Sequence, residues 1–359
     1  MNPKVSICLP NLNNQPFIVE RLDGILAQTF QDWELVVVDS YSDDGAWEII
    51  QAYAAKESRM RIYQAPRNGI YTGINECIEL AKGEYIYIAT SDDTMMSDCL
   101  EKMVSALDRH PQCGLAHCCL EVIDERGQTI EHNNWTNWAQ CQFFGDYISQ
   151  EHIRYAPHDG ILYCSLGTVY VSLTQLLIRS TVFDTVGCFK TNFSSMADFE
   201  WGLRASLVCN TVHVPHYLAT WRRHSVQATQ ESYLFSAEGQ EELCQMIYSA
   251  IETLKSKNHN IAFELNKSRL SYYTELQQLK FGLSRKNTFL SRIKYLLKFA
   301  LTRWQVLLAY VYFRLTKKEI NRVERANKLL AKLNVKNKLK LVGSGQNIAR
   351  SFSLKNNIR

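Results

Sequence analysis

None of the eleven cysteines in this 359-residue chain is spaced from another as a CxxC pair, and their number is odd. A zinc ribbon and a complete disulfide framework are both excluded, which implies a reduced protein. Long apolar runs are missing too. The stretch that is apolar all round, WQVLLAYVYF at residues 304–313, is ten residues long, about half of what a bilayer-spanning helix needs. The opening residues, MNPKVSICLPNLNN, have no basic segment leading into a long apolar one, so neither a secretory signal nor export from the cytoplasm is expected. No GxGxxG follows the first apolar run, which disfavours a dinucleotide dehydrogenase. Internal repeats and low-complexity tracts are also lacking. With 46% apolar and 21% charged residues the chain can bury a sizeable core, and disorder, collagen and coiled coil are set aside.

Charge is plentiful but unevenly placed. From Ser284 to Arg359 there are 19 Lys and Arg against Glu319 and Glu324, a charge of +17, and the remainder carries −13. An acidic body with a basic tail implies that the tail meets something anionic while the body does separate work.

The first 120 residues alternate apolar runs with amphipathic segments. Strands are expected at Val5–Leu9, Glu34–Val38, Met60–Gln64 and Tyr85–Ala89. Helices are expected over Phe17–Phe30, over Gly45–Lys56 with Asp43 or Asp44 as N-cap, and over Tyr71–Lys82 with Gly83 as C-cap. This βαβαβαβ order predicts an α/β fold with a parallel sheet. A helix to Arg109 and a strand over Leu115–Ile123 come next, and Gly127–Gly167, rich in Trp, His and Asn, reads as a long excursion over the sheet. An apolar run at Leu173–Ile178, a helix after Asp198 and a β-rich segment over Thr211–Thr220 complete the body; beyond Gln230 only helices are expected. The division read from this is 1–230, 231–283 and 284–359.

Ligands of open parallel sheets bind outside the carboxyl ends of the strands. Three polar clusters sit directly after strands here: Pro10–Asn13, Asp39–Asp44, and Ser91 with Asp92 and Asp93. Acids gathered at one edge repel one another unless a cation or a donor-rich ligand sits between them, so a divalent metal with a nucleotide is one reading. Helix capping by Asp43 and Asp44 and a turn at Asp92 and Asp93 is the other.

VSICLPNLNN, QTFQDWELVVVDSYSDDGAWEII and NGIYTGINECIELAKGEYIYIATSDD, in that order, resemble the opening of family 2 inverting glycosyltransferases of GT-A fold. The subgroup it resembles has a third motif reading roughly GIYDAMNKGI. The likeness runs over residues 4–125 and again over 170–226. It implies a GT-A type, mostly parallel sheet flanked by helices, with a C-terminal helical extension. It also implies Mg²⁺ or Mn²⁺ as cofactor and a nucleoside diphosphate sugar as donor. Pro10 and Asn13 match the loop under the nucleotide, Asp39 the carboxylate that binds nucleobase or ribose, and Asp92 the metal-binding acid, with Asp93 an adjacent sugar or loop contact. Ser40 and Thr90 stand where the family has aspartates, which leaves one protein carboxylate to hold the metal. Asp198, in SSMADFEWGLRASL, matches the aspartate beside the anomeric carbon and is the candidate base; a plain helix cap is its other reading. In WRRHSVQ, His224 matches a metal ligand and Arg223 a phosphate contact, unless His224 is a solvated loop residue. Trp135, Trp138, Phe143 and Phe144 read either as an acceptor platform or as core.

The tail has three readings: an interfacial helix on an anionic leaflet, a helix packed on the catalytic body, or a nucleic-acid contact, the last not expected because no recognised module accompanies the charge. Together these imply a metal-dependent transferase of hexosyl type on the inner face of the cell membrane, acting on a lipid-linked surface-polysaccharide acceptor. A catalytically silent membrane-associated scaffold is the alternative. A nucleotidyltransferase would want a Gly-rich basic loop where PNLNNQPF stands.

Overall fold

A computed structural model describes residues 2–131, 143–193, 195–225, 227, 233, 236–256, 258–268, 272–316, 321–335 and 339–341. Its centre is a sheet whose first strand, β1 (Val5–Asn11), lies between β2 (Trp33–Asp39) and β4 (Tyr85–Ile88), parallel to both, with β3 (Met60–Gln64) outside β2. Side chains alternate between the two faces. Val5, Ile7 and Leu9 meet Ile18 and Leu22 of α1 (Gln15–Leu26), Ile50 of α2 (Ala46–Ala54) and Leu100 of α4 (Cys99–Arg109). Cys8, Val36 and Val38 meet Tyr71, Ile74 and Cys77 of α3 (Ile70–Leu80) on the other face. That two-sided burial is why VSICL, ELVVV and YIYI read as continuous apolar runs.

The parallel expectation holds for this half and changes beyond it. The chain continues through β5 (Cys113–Ile123), β6 (Thr129–Glu131), β7 (His152–Arg154), β8 (Leu176–Arg179), β9 (Asn210–Arg222) and β10 (Leu339–Leu341). The sheet order is β10-β7-β9-β5-β8-β4-β1-β2-β3, with β6 paired to β5. Strand β8 runs antiparallel between β4 and β5, and β9 is parallel to β5. Strands β1–β5, β9 and β10 thus share one direction, and the sheet stays mostly parallel.

Several local expectations are corrected. Gly45, at φ 97°, and not an aspartate, is the residue preceding α2; the Asp44 carboxylate instead accepts from Ala46 N and Gln15 N at 3.0 and 2.8 Å. Gly83 does not cap α3, which ends at Leu80 with Ala81 as its cap. A Cβ on Gly83 would lie 2.4 Å from Ser6 N, so the residue is small because the chain passes against β1. The excursion after Gly127 contains β6, β7 and the helix His158–Leu166. Phe143 and Phe144 in it are buried in the core, against an acceptor platform, whereas Trp135 and Trp138 lie outside the described residues.

Part of the stretch read as a tail is built into the body. Helix Arg322–Lys332 buries Ala326, Leu329 and Leu330 in the main core, and Arg322 donates to Leu166 O at 3.0 Å. Strand β10 pairs with β7. Helices Phe289–Thr302 and Trp304–Thr316 pack instead on helix Tyr272–Ser284 around a small separate core of Leu276, Leu279, Leu283, Phe299 and Val306.

Between β5, β7 and β9 lies a buried polar cluster. Arg154 donates to Asp159 at 2.8 Å and approaches His152 and His117 at 3.2 and 3.3 Å, and the His152 and His213 rings are 4.8 Å apart. Burial first, with the Arg154 guanidinium acting in the same direction, holds His117 and His152 well below the ordinary histidine range, and His213 at about 3.

Candidate active site

A cleft of two adjoining lobes opens at the carboxyl ends of β1, β2 and β4. Ile70, Thr90, Asp92 and Gln227 belong to both lobes. The first, about 410 Å³, is lined by Pro10, Asn13, Asn14, Ser40, Ser91 and His224 among others. The second, about 330 Å³, takes in Tyr71, Asp93, Ser172, Asp198 and Trp221.

The floor of the first lobe is the β1 end. Asn13 adopts φ 53°, which asparagine tolerates, and its amide group donates to Asp43 Oδ1 at 2.7 Å while accepting from Asp43 N at 3.0 Å. Asn13 and then Arg67 hold the Asp43 carboxyl below its usual range. Asn14 donates to Ser91 Oγ at 2.7 Å, tying this loop to the β4 end. Asp39 is fully buried under the loop, accepting from Asn11 at 2.8 Å and from the Ser42 hydroxyl and N–H at 2.6 and 2.9 Å. The lobe is lined by its neighbour Ser40, not by Asp39.

Asp92 and Asp93 part company. Asp92 faces both lobes, and its Oδ2 lies 3.1 Å from His224 Nε2. The His224 ring is almost wholly enclosed, set 4.9 Å from the Phe17 ring, and its Nδ1 is buried without a hydrogen-bond partner among the described residues. That excludes the solvated-loop reading of His224. Asp93 is buried and accepts from Thr90 Oγ1 at 2.5 Å, Arg222 N at 2.7 Å and Ser172 Oγ at 3.4 Å. Burial first, and Asp92 second, push Asp93 up to about 7. Thr90 therefore has a local physical role: a third carboxylate there would face Asp93 where a donor is needed.

Arg222 escaped the sequence reading. Its guanidinium is buried and donates to Asp92 O at 2.7 Å, to Asp124 O and Glu125 O at 3.1 and 3.2 Å, and to Glu20 at 2.6 Å, so one side chain at the end of β9 anchors the acidic turn. The doubled arginine in WRRH was the available signal, but only the fold separates the two. Arg223 stacks over the Trp221 ring, 5.4 Å from its centroid, and lines neither lobe.

Asp198 is the second residue of helix Ala197–Val208, and the residue preceding the helix is Met196, so it is not a plain N-cap. Its Oδ1 accepts from Phe199 N at 2.8 Å and from the Tyr71 hydroxyl at 3.1 Å. Burial raises its carboxyl above the usual range, opposed by those two donors. The second lobe thus holds a carboxylate with raised proton affinity, while the first holds an Asp–His pair. That carboxylate–imidazole pair suits a divalent ion that also takes ligand oxygens. Among the described residues no group of three or more His, Cys, Asp or Glu is gathered for a metal.

Residues 6–165 match the family model described as Glycosyl transferase family 2. The matched residues run from within β1 past β7 and include the Asp92 turn, and leave Asp198 and His224 outside. Glycosyltransferase GlyG of Streptococcus pneumoniae is 35% identical over 104 residues, 29% of this chain and 35% of its own. EpsE of Bacillus subtilis is 33% identical over 127 residues, 35% of this chain and 46% of its own. The chain thus spans less than half the length of these curated relatives. Crystal structures of Staphylococcus aureus TarS residues 1–349 share the fold; the one in complex with UDP-GlcNAc superposes with a TM-score of 0.61 at 16% identity, over 92% of this chain and 91% of that one.

Proposed function

We propose that the protein is an inverting glycosyltransferase that moves a sugar from a nucleoside diphosphate sugar to a hydroxyl of a lipid-linked surface-polysaccharide intermediate. The observation that carries this is the continuous cleft, with the Asp92–His224 pair in one lobe and Asp198 in the next. The family 2 segment supports the reading, as does a nucleotide sugar bound in a protein of the same fold. The nucleotide lies in the first lobe against Pro10, Asn13 and Ser40, and the sugar reaches past Asp92 into the second. Asp198 takes the acceptor hydroxyl proton as the new C–O bond forms at the anomeric carbon. The bond to the diphosphate breaks on the opposite face, and its electron pair leaves with the nucleotide. Raised proton affinity suits Asp198 to that role, and Tyr71 orients it. Asp92 and His224 would hold Mg²⁺ or Mn²⁺, which when bound neutralises the departing diphosphate. Asp93 and Arg222 keep the turn in place.

Purified protein titrated with a panel of nucleotide sugars, with and without Mg²⁺ or Mn²⁺, tests the reading. Metal-dependent binding of one donor is expected, with Asp92→Ala weakening metal and nucleotide together. Binding of none would leave the silent scaffold; unchanged nucleotide affinity in Asp92→Ala would remove Asp92 from the metal site.

A further inference from the structure

Helices Phe289–Thr302 and Trp304–Thr316 each have two apolar faces. One is used: Phe299 and Val306 are buried against Leu276, Leu279 and Leu283. The other is bare. Leu290, Leu297 and Leu301 recur at helical spacing on the first helix, and Trp304, Leu308, Val311 and Leu315 on the second, all exposed, with Leu301 and Leu315 at 85% and 80%. Single exposed leucines are ordinary, but a row continued through two successive helices marks an interaction surface.

The charge around the row identifies its occupant. Between Ser284 and Thr316 there are seven Lys and Arg and no acid. Arg303 turns inward to Gln278 and Glu241, and Arg292, on the opposite side of its helix, donates to Lys286 O at 2.9 Å, whereas Lys294, Lys298 and Arg314 are exposed beside the row. Exposed Trp304 and Tyr312 add the aromatic side chains that favour a membrane–water boundary. Neither helix is long and apolar enough to cross a membrane. We propose that this row is a docking face for an anionic phospholipid surface, on which both helices lie in plane while their inner faces stay packed. A second copy of the chain is a poorer occupant, because it would bring the same positive charge to the contact.

The proposal stands apart from the catalytic reading and is tested without it. Full-length protein is floated with phosphatidylcholine vesicles and with vesicles containing about one-third phosphatidylglycerol, over a range of salt. Binding is expected to the anionic vesicles, weakened but not abolished by salt. Leu301→Gln, Leu308→Gln and Leu315→Gln together should lower the apparent affinity about 100-fold at an unchanged melting temperature, because all three side chains are exposed. If that variant melts early, the combined Lys294→Gln, Lys298→Gln and Arg314→Gln variant carries the test, and should lose most of the preference for anionic lipid. Unchanged binding by both variants overturns the proposal. So does a dimer that the leucine variant disperses without any vesicle binding, or binding of RNA in preference to anionic vesicles.

Discussion

Strands β1, β2 and β4 bury every residue and leave their polar groups at the carboxyl ends, whereas helices Phe289–Thr302 and Trp304–Thr316 bury Phe299 and Val306 and keep a row of leucines in solvent. Both regions are rich in apolar residues, so hydropathy alone does not separate them. In the sheet, apolar side chains are consumed by packing on two faces, and the polar strand ends carry the chemistry. In the helices, apolar residues exceed what one packed face can absorb, and the surplus forms a surface. Apolar content signals function only where the fold leaves it uncovered.

The largest effect expected in the sheet half is catalytic. Asp198→Asn should slow transfer about 100-fold or more while calorimetric nucleotide affinity stays near the parent value, since only the base is lost. Comparable turnover would take Asp198 out of the reaction. Tyr71→Phe sharpens this. The Tyr71 hydroxyl lowers the Asp198 proton affinity, so its loss should move the acid limb of the rate profile to higher pH. A packing defect without a changed base would lower the rate and leave that limb in place.

In the helical half the contrast is between two leucines. Leu279→Ala, at a fully buried position, should cost about 2–4 kcal/mol in urea denaturation, whereas Leu301→Ala should stay within about 0.5 kcal/mol. Equal costs would mean that Leu301 is covered and would end the comparison. The same packing argues against deleting these helices to test membrane binding, because Leu276, Leu279 and Leu283 would be uncovered.

A pH-dependent effect, absent at neutral pH, is expected at the buried histidines. His117, His152 and His213 stay neutral when folded and take up protons when unfolded below about pH 6.5, so stability should be full above that value and fall on acidification. Each contributes about 1 kcal/mol per pH unit of the fall. Denaturation at pH 7 and pH 5 measures it, and His152→Asn should flatten the dependence. An unchanged stability at pH 5 would mean that the cluster is open to water.

Much of the sheet was legible because two-sided burial writes continuous apolar runs such as ELVVV and YIYI, and topology places the polar residues at their carboxyl ends along one edge. Strand β8 was visible as an apolar run, but not its direction, since nothing in LLIR records which way it lies between β4 and β5. Phe143 and Phe144 were ambiguous because an aromatic side chain suits a sugar platform and a core equally well. Arg222 and Arg223 are adjacent in sequence and alternate in direction along β9 and its end, so one is buried on the acidic turn and the other stacks on Trp221.

By itself the sequence determined the alternation of strands and helices, the acids after the strands, and the basic, apolar-striped helices, because periodicity and composition are local properties of a chain. Only the tertiary structure decided that Asp92 meets His224, that Tyr71 meets Asp198, that Asp39 is enclosed, and that one apolar face of the late helices is packed while the other is bare. Those are contacts between segments far apart in the chain, and they exist only once backbone pairing and core packing have brought the segments together.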